Sequence, residues 1–151
     1  TAGNVGQFTS LRYDAASATI WLAYYDVTNS RLKLVKSAGS ESAWSLAGVI
    51  DDAGATGQYA ALSFSGDFGQ DLAIAYYEDW EYRLKVARSD DAGASWTTEV
   101  VAGDGVGQWA SIACTGTDGG TGGPTYAVSC YDQLTDDLRY AAWDGTGWMV
   151  R

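Results

Sequence analysis

Histidine is absent from all 151 residues. Its absence removes the commonest general base, the usual nucleophilic triads and most zinc sites together. Any chemistry would fall to carboxylates, tyrosines, arginines or backbone groups. Lysine occurs only at Lys33, Lys36 and Lys85, and the formal charge is −10. Phosphate binding needs clustered Lys and Arg, so no nucleic-acid partner is expected. The acidic excess gives a well-solvated surface, of a kind that high salt also tolerates because repulsion is screened. No apolar run approaches a membrane span, and no charged-then-apolar leader is present. The chain does not begin with Met, which fits processing or excision from something longer. Proline is found once, at Pro124, in a Gly-rich linker rather than inside a strand pattern. What is abundant is Gly, Thr, Tyr, Trp and Val, which favours an all-β fold. The length suits one domain, 1–151.

The chain repeats. Gly6-Gln7-Phe8 recurs as Gly57-Gln58-Tyr59 and as Gly107-Gln108-Trp109. Ala23-Tyr24-Tyr25-Asp26 returns as Ala75-Tyr76-Tyr77-Glu78 and Ser129-Cys130-Tyr131-Asp132. Leu32-Lys33-Leu34 returns as Leu84-Lys85-Val86 and loosely as Leu138-Arg139-Tyr140, and Trp44, Trp96 and Trp148 close the units. Alternating runs such as Thr19–Tyr25 have the period of two that marks a strand. Each unit (approximately 1–50, 51–102 and 103–151) then reads as four short strands separated by Gly, Asp, Ser and Asn turns. Four antiparallel strands per unit of this length are the pattern of a β-propeller blade.

The stretch Ser89-Asp90-Asp91-Ala92-Gly93-Ala94-Ser95-Trp96 fits Ser-x-Asp-x-Gly-x-x-Trp. It resembles the Asp-box of sialidase-type (BNR) repeat propellers, which joins the third and fourth strands of a blade. The resemblance implies a structural hairpin formed by Ser89, Asp91, Gly93 and Trp96, not a catalytic one. Asp91 is expected to accept N–H groups of its own turn, and Gly93 to take a positive φ. Unit one keeps Ser37 and Trp44 but has Gly39 and Glu41 at the Asp and Gly positions. Unit three has Trp143 at the Asp position, and its Trp143–Trp148 stretch is similar to hairpins of small fucose-binding propeller lectins. The Gln-aromatic and Tyr-Tyr-Asp landmarks look like a bacterial and archaeal family of repeat propellers.

Propellers close with about four to eight blades. Three blades would leave two broad apolar faces open, which soluble monomers avoid. The expected assembly is a homodimer closing a six-bladed ring; the alternative is a segment of a longer propeller. Cys114 aligns with Tyr13 and Phe64, and Cys130 with Tyr24 and Tyr76. Joint replacement of an aromatic pair makes Cys114 and Cys130 a disulfide candidate, with two reduced thiols as the alternative. A disulfide would imply an oxidising, extracytoplasmic setting.

On the face away from the Asp-box hairpin, the repeat gathers Gln7, Gln58 and Gln108 with Phe8, Tyr59 and Trp109. It adds Asp26, Glu78 and Asp132 at the ends of second strands, and Trp80 and Tyr82 in a loop of unit two. Rings flanked by amides and carboxylates suit sugars. Equally, most such rings pack between blades, and repeated strand-end acids satisfy loop backbone. The leading expectation is a non-catalytic, secreted or surface module binding carbohydrate, with no cofactor. Its rivals are a sialidase-like glycoside hydrolase or a fragment of one, and a scaffold for protein contacts. The resemblance would ask of an enzyme an arginine triad, a Tyr–Glu pair and an Asp acid. Only Arg31 and Arg83 sit at equivalent repeat positions, so no triad carries over. A calcium ring of Asp26, Glu78 and Asp132 lacks any recognisable ligand spacing.

Overall fold

The computed structural model describes residues 3–39, 43–65, 71–117 and 124–151. Glu41 and most of the linker before Pro124 lie outside them. The described chain contains twelve strands: β1 (Val5–Asp14), β2 (Thr19–Asp26), β3 (Arg31–Ala38), β4 (Trp44–Asp51), β5 (Thr56–Ser65), β6 (Asp71–Glu78), β7 (Arg83–Ser89), β8 (Thr97–Ala102), β9 (Val106–Thr117), β10 (Pro124–Asp132), β11 (Asp137–Trp143) and β12 (Trp148–Val150). They form three four-stranded antiparallel sheets, each ordered as a meander from first to fourth strand. The architecture is the propeller that the repeat predicts, with one sheet per unit. Pro124 opens β10, a strand position that tolerates a missing N–H. Among the described residues no helix is long and apolar enough to cross a membrane.

The three first strands lie innermost, β5 against both β1 and β9. Two seams hold the sheets together. In the first, Trp21, Ala23, Leu32 and Leu34 of blade 1 meet Leu62, Leu72, Ile74 and Tyr76 of blade 2. In the second, Ala73, Ala75, Leu84 and Val86 meet Ile112, Tyr126, Val128 and Cys130 of blade 3. Alternate residues of β6 thus serve opposite seams, as a period of two requires, and nearly all of this strand is buried. Blades 1 and 3 each keep one open face, which leaves Leu11, Tyr13, Leu138 and Tyr140 exposed.

The first strand of each blade carries an irregularity. Gln7 pairs with Tyr25 but Ser10 with Ala23, so Phe8 and Thr9 bulge, and β5 does the same between Gln58 and Ala61. Phe8, Tyr59 and Trp109 hold φ of 52°, 52° and 54°. Such a kink re-aims a side chain, and here it turns the three aromatics toward one another.

Candidate functional site

The loops joining fourth to first and second to third strands share one face. Backbone bonds tie them: Asp79 N–H to Ala55 O at 3.0 Å, Gly105 N–H to Tyr82 O at 2.8 Å, and Gln133 N–H to Gly105 O at 3.2 Å. On this face Phe8, Tyr59 and Trp109 form a ladder with ring centroids 4.6 Å apart at each step. Tyr25 and Tyr77 flank it at 6.2 and 6.1 Å. Trp109, at the open end, is 68% exposed. These separations are those of packed aromatic pairs. Gln108 donates to Gln133 at 3.1 Å, and Gln133 donates to the Tyr77 hydroxyl at 2.9 Å. Gln58 is half-buried and Gln7 exposed.

The three strand-end carboxylates do not converge. Each is buried and committed to its own hairpin. Asp26 accepts the Asn29 N–H at 3.1 Å and the Asn29 amide at 2.8 Å, and pairs with Lys33. Glu78 accepts the Trp80 N–H at 2.7 Å, the Glu81 N–H at 3.0 Å and Arg83 Nε at 2.9 Å. Asp132 accepts the Leu134 N–H at 2.9 Å and Arg139 Nε at 2.8 Å. The Leu134 N–H, with Arg139 and Thr135 against the cost of burial, holds the Asp132 carboxyl down at about 2. Burial works against ionising Asp26, but Lys33 and Asn29 outweigh it and its carboxyl also lies below the ordinary range. Among the described residues no group of three or more Cys, Asp or Glu is placed to hold a metal ion, so the calcium ring does not form.

Trp80 projects from the β6–β7 turn at 75% exposure. Tyr82, 54% exposed with φ of 56°, lines a cleft of about 380 Å³ with Glu81, Asp104, Gly105, Gln133 and Leu134. The cleft runs between the β6–β7 turn of blade 2 and two loops of blade 3. Gln133, Leu134 and Asp104 were not singled out by the sequence, because none repeats; only their position in loops sharing one face could have found them.

At the other face, the Ser89–Trp96 hairpin behaves as its sequence predicts. Asp91 accepts the Ser95 N–H at 2.8 Å and the Ser95 hydroxyl at 2.6 Å. Ser89 Oγ donates to Asp91 at 2.8 Å and accepts the Gly93 N–H at 2.9 Å. Gly93 has φ of 81°, and Trp96 Nε1 donates to its carbonyl at 3.2 Å. Ser95, through hydroxyl and N–H, leads the bonds that hold the Asp91 carboxyl at about 2. Both oxygens of this carboxylate are thus engaged within its own hairpin.

The disulfide expectation fails. Cys114 and Cys130 are both free thiols. Cys114 lies opposite Tyr126 and Cys130 opposite Arg139, so Cys130 sits four positions along β10 from the partner of Cys114. Burial, with the Asp132 charge, pushes the Cys130 thiol up to about 11. The redox argument for an extracytoplasmic setting goes with the disulfide.

No family model matches the chain, and no curated protein does. Solved structures do. The chain is similar to the NanB sialidase from Streptococcus pneumoniae in complex with 2-[(3-chlorobenzyl)ammonio]ethanesulfonate, with TM-score 0.60 and 14% identity over 87% of this chain. It is similar also to the Hadza microbial sialidase Hz136, with TM-score 0.54 and 12% identity over 99% of this chain. The matches span 20% and 37% of those proteins respectively. The fold is therefore a sialidase-like β-propeller, and the chain spans well under half the length of either of these proteins.

Proposed function

We propose that the chain is half of a sialidase-like propeller, completed by a second copy, which binds carbohydrate without hydrolysing it. The observation that carries this reading is the Tyr82–Leu134 cleft of about 380 Å³, the size of a small-ligand site. It offers one exposed aromatic face, an apolar side chain, an amide and two carboxylates, which suit the C–H faces and hydroxyls of a sugar. Trp80 stands on the same turn. The Ser89–Trp96 hairpin serves as a structural Asp-box, and a secreted or surface location goes with a glycan partner. A glycan array is the test: binding that falls tenfold or more in Tyr82→Ala and Trp80→Ala supports the reading, and an empty array removes it.

The second reading, a segment of a sialidase-like glycoside hydrolase, draws support from the two sialidase structures, which back the fold more directly than anything backs a lectin. Against it stands the commitment of every strand-end carboxylate to backbone and cations, since hydrolysis needs two carboxyl groups in different roles. Arg31 lies opposite Asp26 and Arg83 opposite Glu78, whereas Arg139 faces Cys130. Turnover of a fluorogenic sialoside by the chain would establish this second reading instead. A scaffold serving only protein contacts predicts silence in both assays.

A further inference from the structure

Each internal seam has a plug and a seat. A Cβ added at Gly57 would lie 2.9 Å from Leu32 Cα, and one at Gly107 only 2.8 Å from Leu84 Cα. The inner strand of each blade thus enters directly over the third strand of the blade before it, and only glycine fits. The residues that follow complete the plug. At the second seam Gln108 reaches the Tyr77 hydroxyl through Gln133, and Trp109 packs on Tyr59. Farther along, Ser10 Oγ of blade 1 accepts the Leu62 N–H of blade 2 at 2.9 Å.

Gly6 occupies the same position in blade 1, with φ of +92°, and has nothing within 4 Å of its added Cβ. Its plug is unseated. The matching seat is on blade 3. Leu138 is the register equivalent of Leu32 and Leu84, opposite Tyr131 as they are opposite Tyr25 and Tyr77. Where Leu32 and Leu84 are fully buried, Leu138 is 70% exposed. It lines a cavity of about 270 Å³ with Trp109, Ser129 and Tyr131, the counterparts of Tyr59, Ala75 and Tyr77. Ser111, equivalent to Ser10, is exposed, and so is Leu11, equivalent to Leu62.

We infer that Gly6-Gln7-Phe8 of one copy seats in the Trp109–Tyr131–Leu138 cavity of a second copy, and that the exchange is reciprocal. Gly6 lies over Leu138, Gln7 meets Tyr131, and Phe8 extends the aromatic ladder from Trp109. Ser111 Oγ accepts the Leu11 N–H, as Ser10 accepts that of Leu62. The occupant is a second copy because both halves of the seam lie at opposite ends of one chain. Six is also the only multiple of three within the four to eight blades that close a propeller. Two equivalent seams related by a twofold axis leave no face open. This inference rests on the ring-closing reading above and specifies its contacts.

The test is native mass of the wild-type chain and two seam variants, Leu138→Arg and Leu11→Arg, with circular dichroism as the check of fold. Both substituted positions are exposed in the protomer, so the fold tolerates them. The wild type is expected at twice the 16.0 kDa protomer mass, and each variant at the protomer mass with an unchanged spectrum. Val100→Lys, an exposed apolar site on the outer strand of blade 2, is expected to remain dimeric. A dimer that survives both seam variants overturns the plug-and-seat contact while sparing the ring. A wild type that is monomeric at every micromolar concentration overturns both.

Discussion

The two seams inside the chain use equivalent positions and opposite chemistry. Between blades 1 and 2, Asp51 accepts the Tyr76 hydroxyl at 2.6 Å and pairs with Lys85, all three buried. Between blades 2 and 3 the corresponding residues are Ala102, Cys130 and Arg139. The acid and the phenol have been replaced by a methyl and a thiol. Arg139 turns away to its own strand-end Asp132 at 2.8 Å. Lys33 of blade 1 likewise turns to Asp26. Of these three equivalent cations Lys85 alone is drawn across a seam, Glu78 being held by Arg83 at 2.9 Å. At the outer end the second seam has its own polar contact, Arg88 lying 3.8 Å above the Trp143 ring. A blade interface therefore accepts either solution, and among the described residues each seam also tolerates one buried indole N–H without a hydrogen-bond partner, Trp21 in the first and Trp148 in the second.

The largest effect that separates the seams should come from Asp51→Ala. It strands the Lys85 cation and the Tyr76 hydroxyl, and breaking a buried pair in this way costs about 3–5 kcal/mol. Urea unfolding would read it; a loss below about 1 kcal/mol would mean that water repairs the gap and the contrast is false. Next come the plug glycines. Gly57→Ala meets both a forbidden backbone region, costing about 1–3 kcal/mol, and the Leu32 backbone. Gly6→Ala meets only the former in the protomer, so in the monomeric Leu138→Arg background the difference in their unfolding midpoints isolates the close approach. Equal losses would remove it.

Cys130→Ala should be milder, about 1 kcal/mol for one lost heavy atom in a packed seam. The same thiol gives a sharper signature. Cys114 is half-buried, whereas Cys130 is buried with its thiol pushed up to about 11. A thiol reagent at neutral pH should label Cys114 promptly and Cys130 only on unfolding. Comparable labelling of both would show that the second seam is open.

The smallest effect concerns the two faces rather than the seams. Asp91 and Asp132 fall to about 2 on folding from an ordinary value of 3.8. A carboxyl depressed on folding contributes its stability above the unfolded value and loses it as pH falls to the folded one. Tm should be level from neutrality to about pH 5 and decline between about 4 and 2. A flat Tm down to pH 2 would contradict the hydrogen bonding assigned to both hairpins.

Much of this was legible in the residues. The Gly-Gln-aromatic and Tyr-Tyr-Asp landmarks located the ends of the strands, because turns and period-two patterns are local. In the Ser89–Trp96 hairpin the role of Asp91 as acceptor for its own turn and the positive φ of Gly93 were readable for the same reason, whereas the bonds of Ser89, Ser95 and the Trp96 indole were not. The cysteine pair was misjudged. Strands joined by a short turn pair residues equidistant from that turn, so Tyr13 faces Ile20, and Phe64 faces Leu72. Aligning repeats identifies equivalent positions but not cross-strand neighbours. Asp51 was invisible, since its role depends on Tyr76 and Lys85 of the next sheet and nothing repeats it. The strand-end acids were recognised as a set, but whether they faced a ligand or their own turn required the hydrogen bonds.

The central claim is that the open faces of blades 1 and 3 form a third seam of the same build. Residue-resolved amide exchange tests it by comparing Leu11 with Leu62, which donates to Ser10 across the first seam. If the third seam forms, the Leu11 amide is protected to a similar degree as that of Leu62, and the protection is lost in Leu138→Arg. Exchange of Leu11 at the rate of a free amide, while Leu62 stays protected, would contradict it.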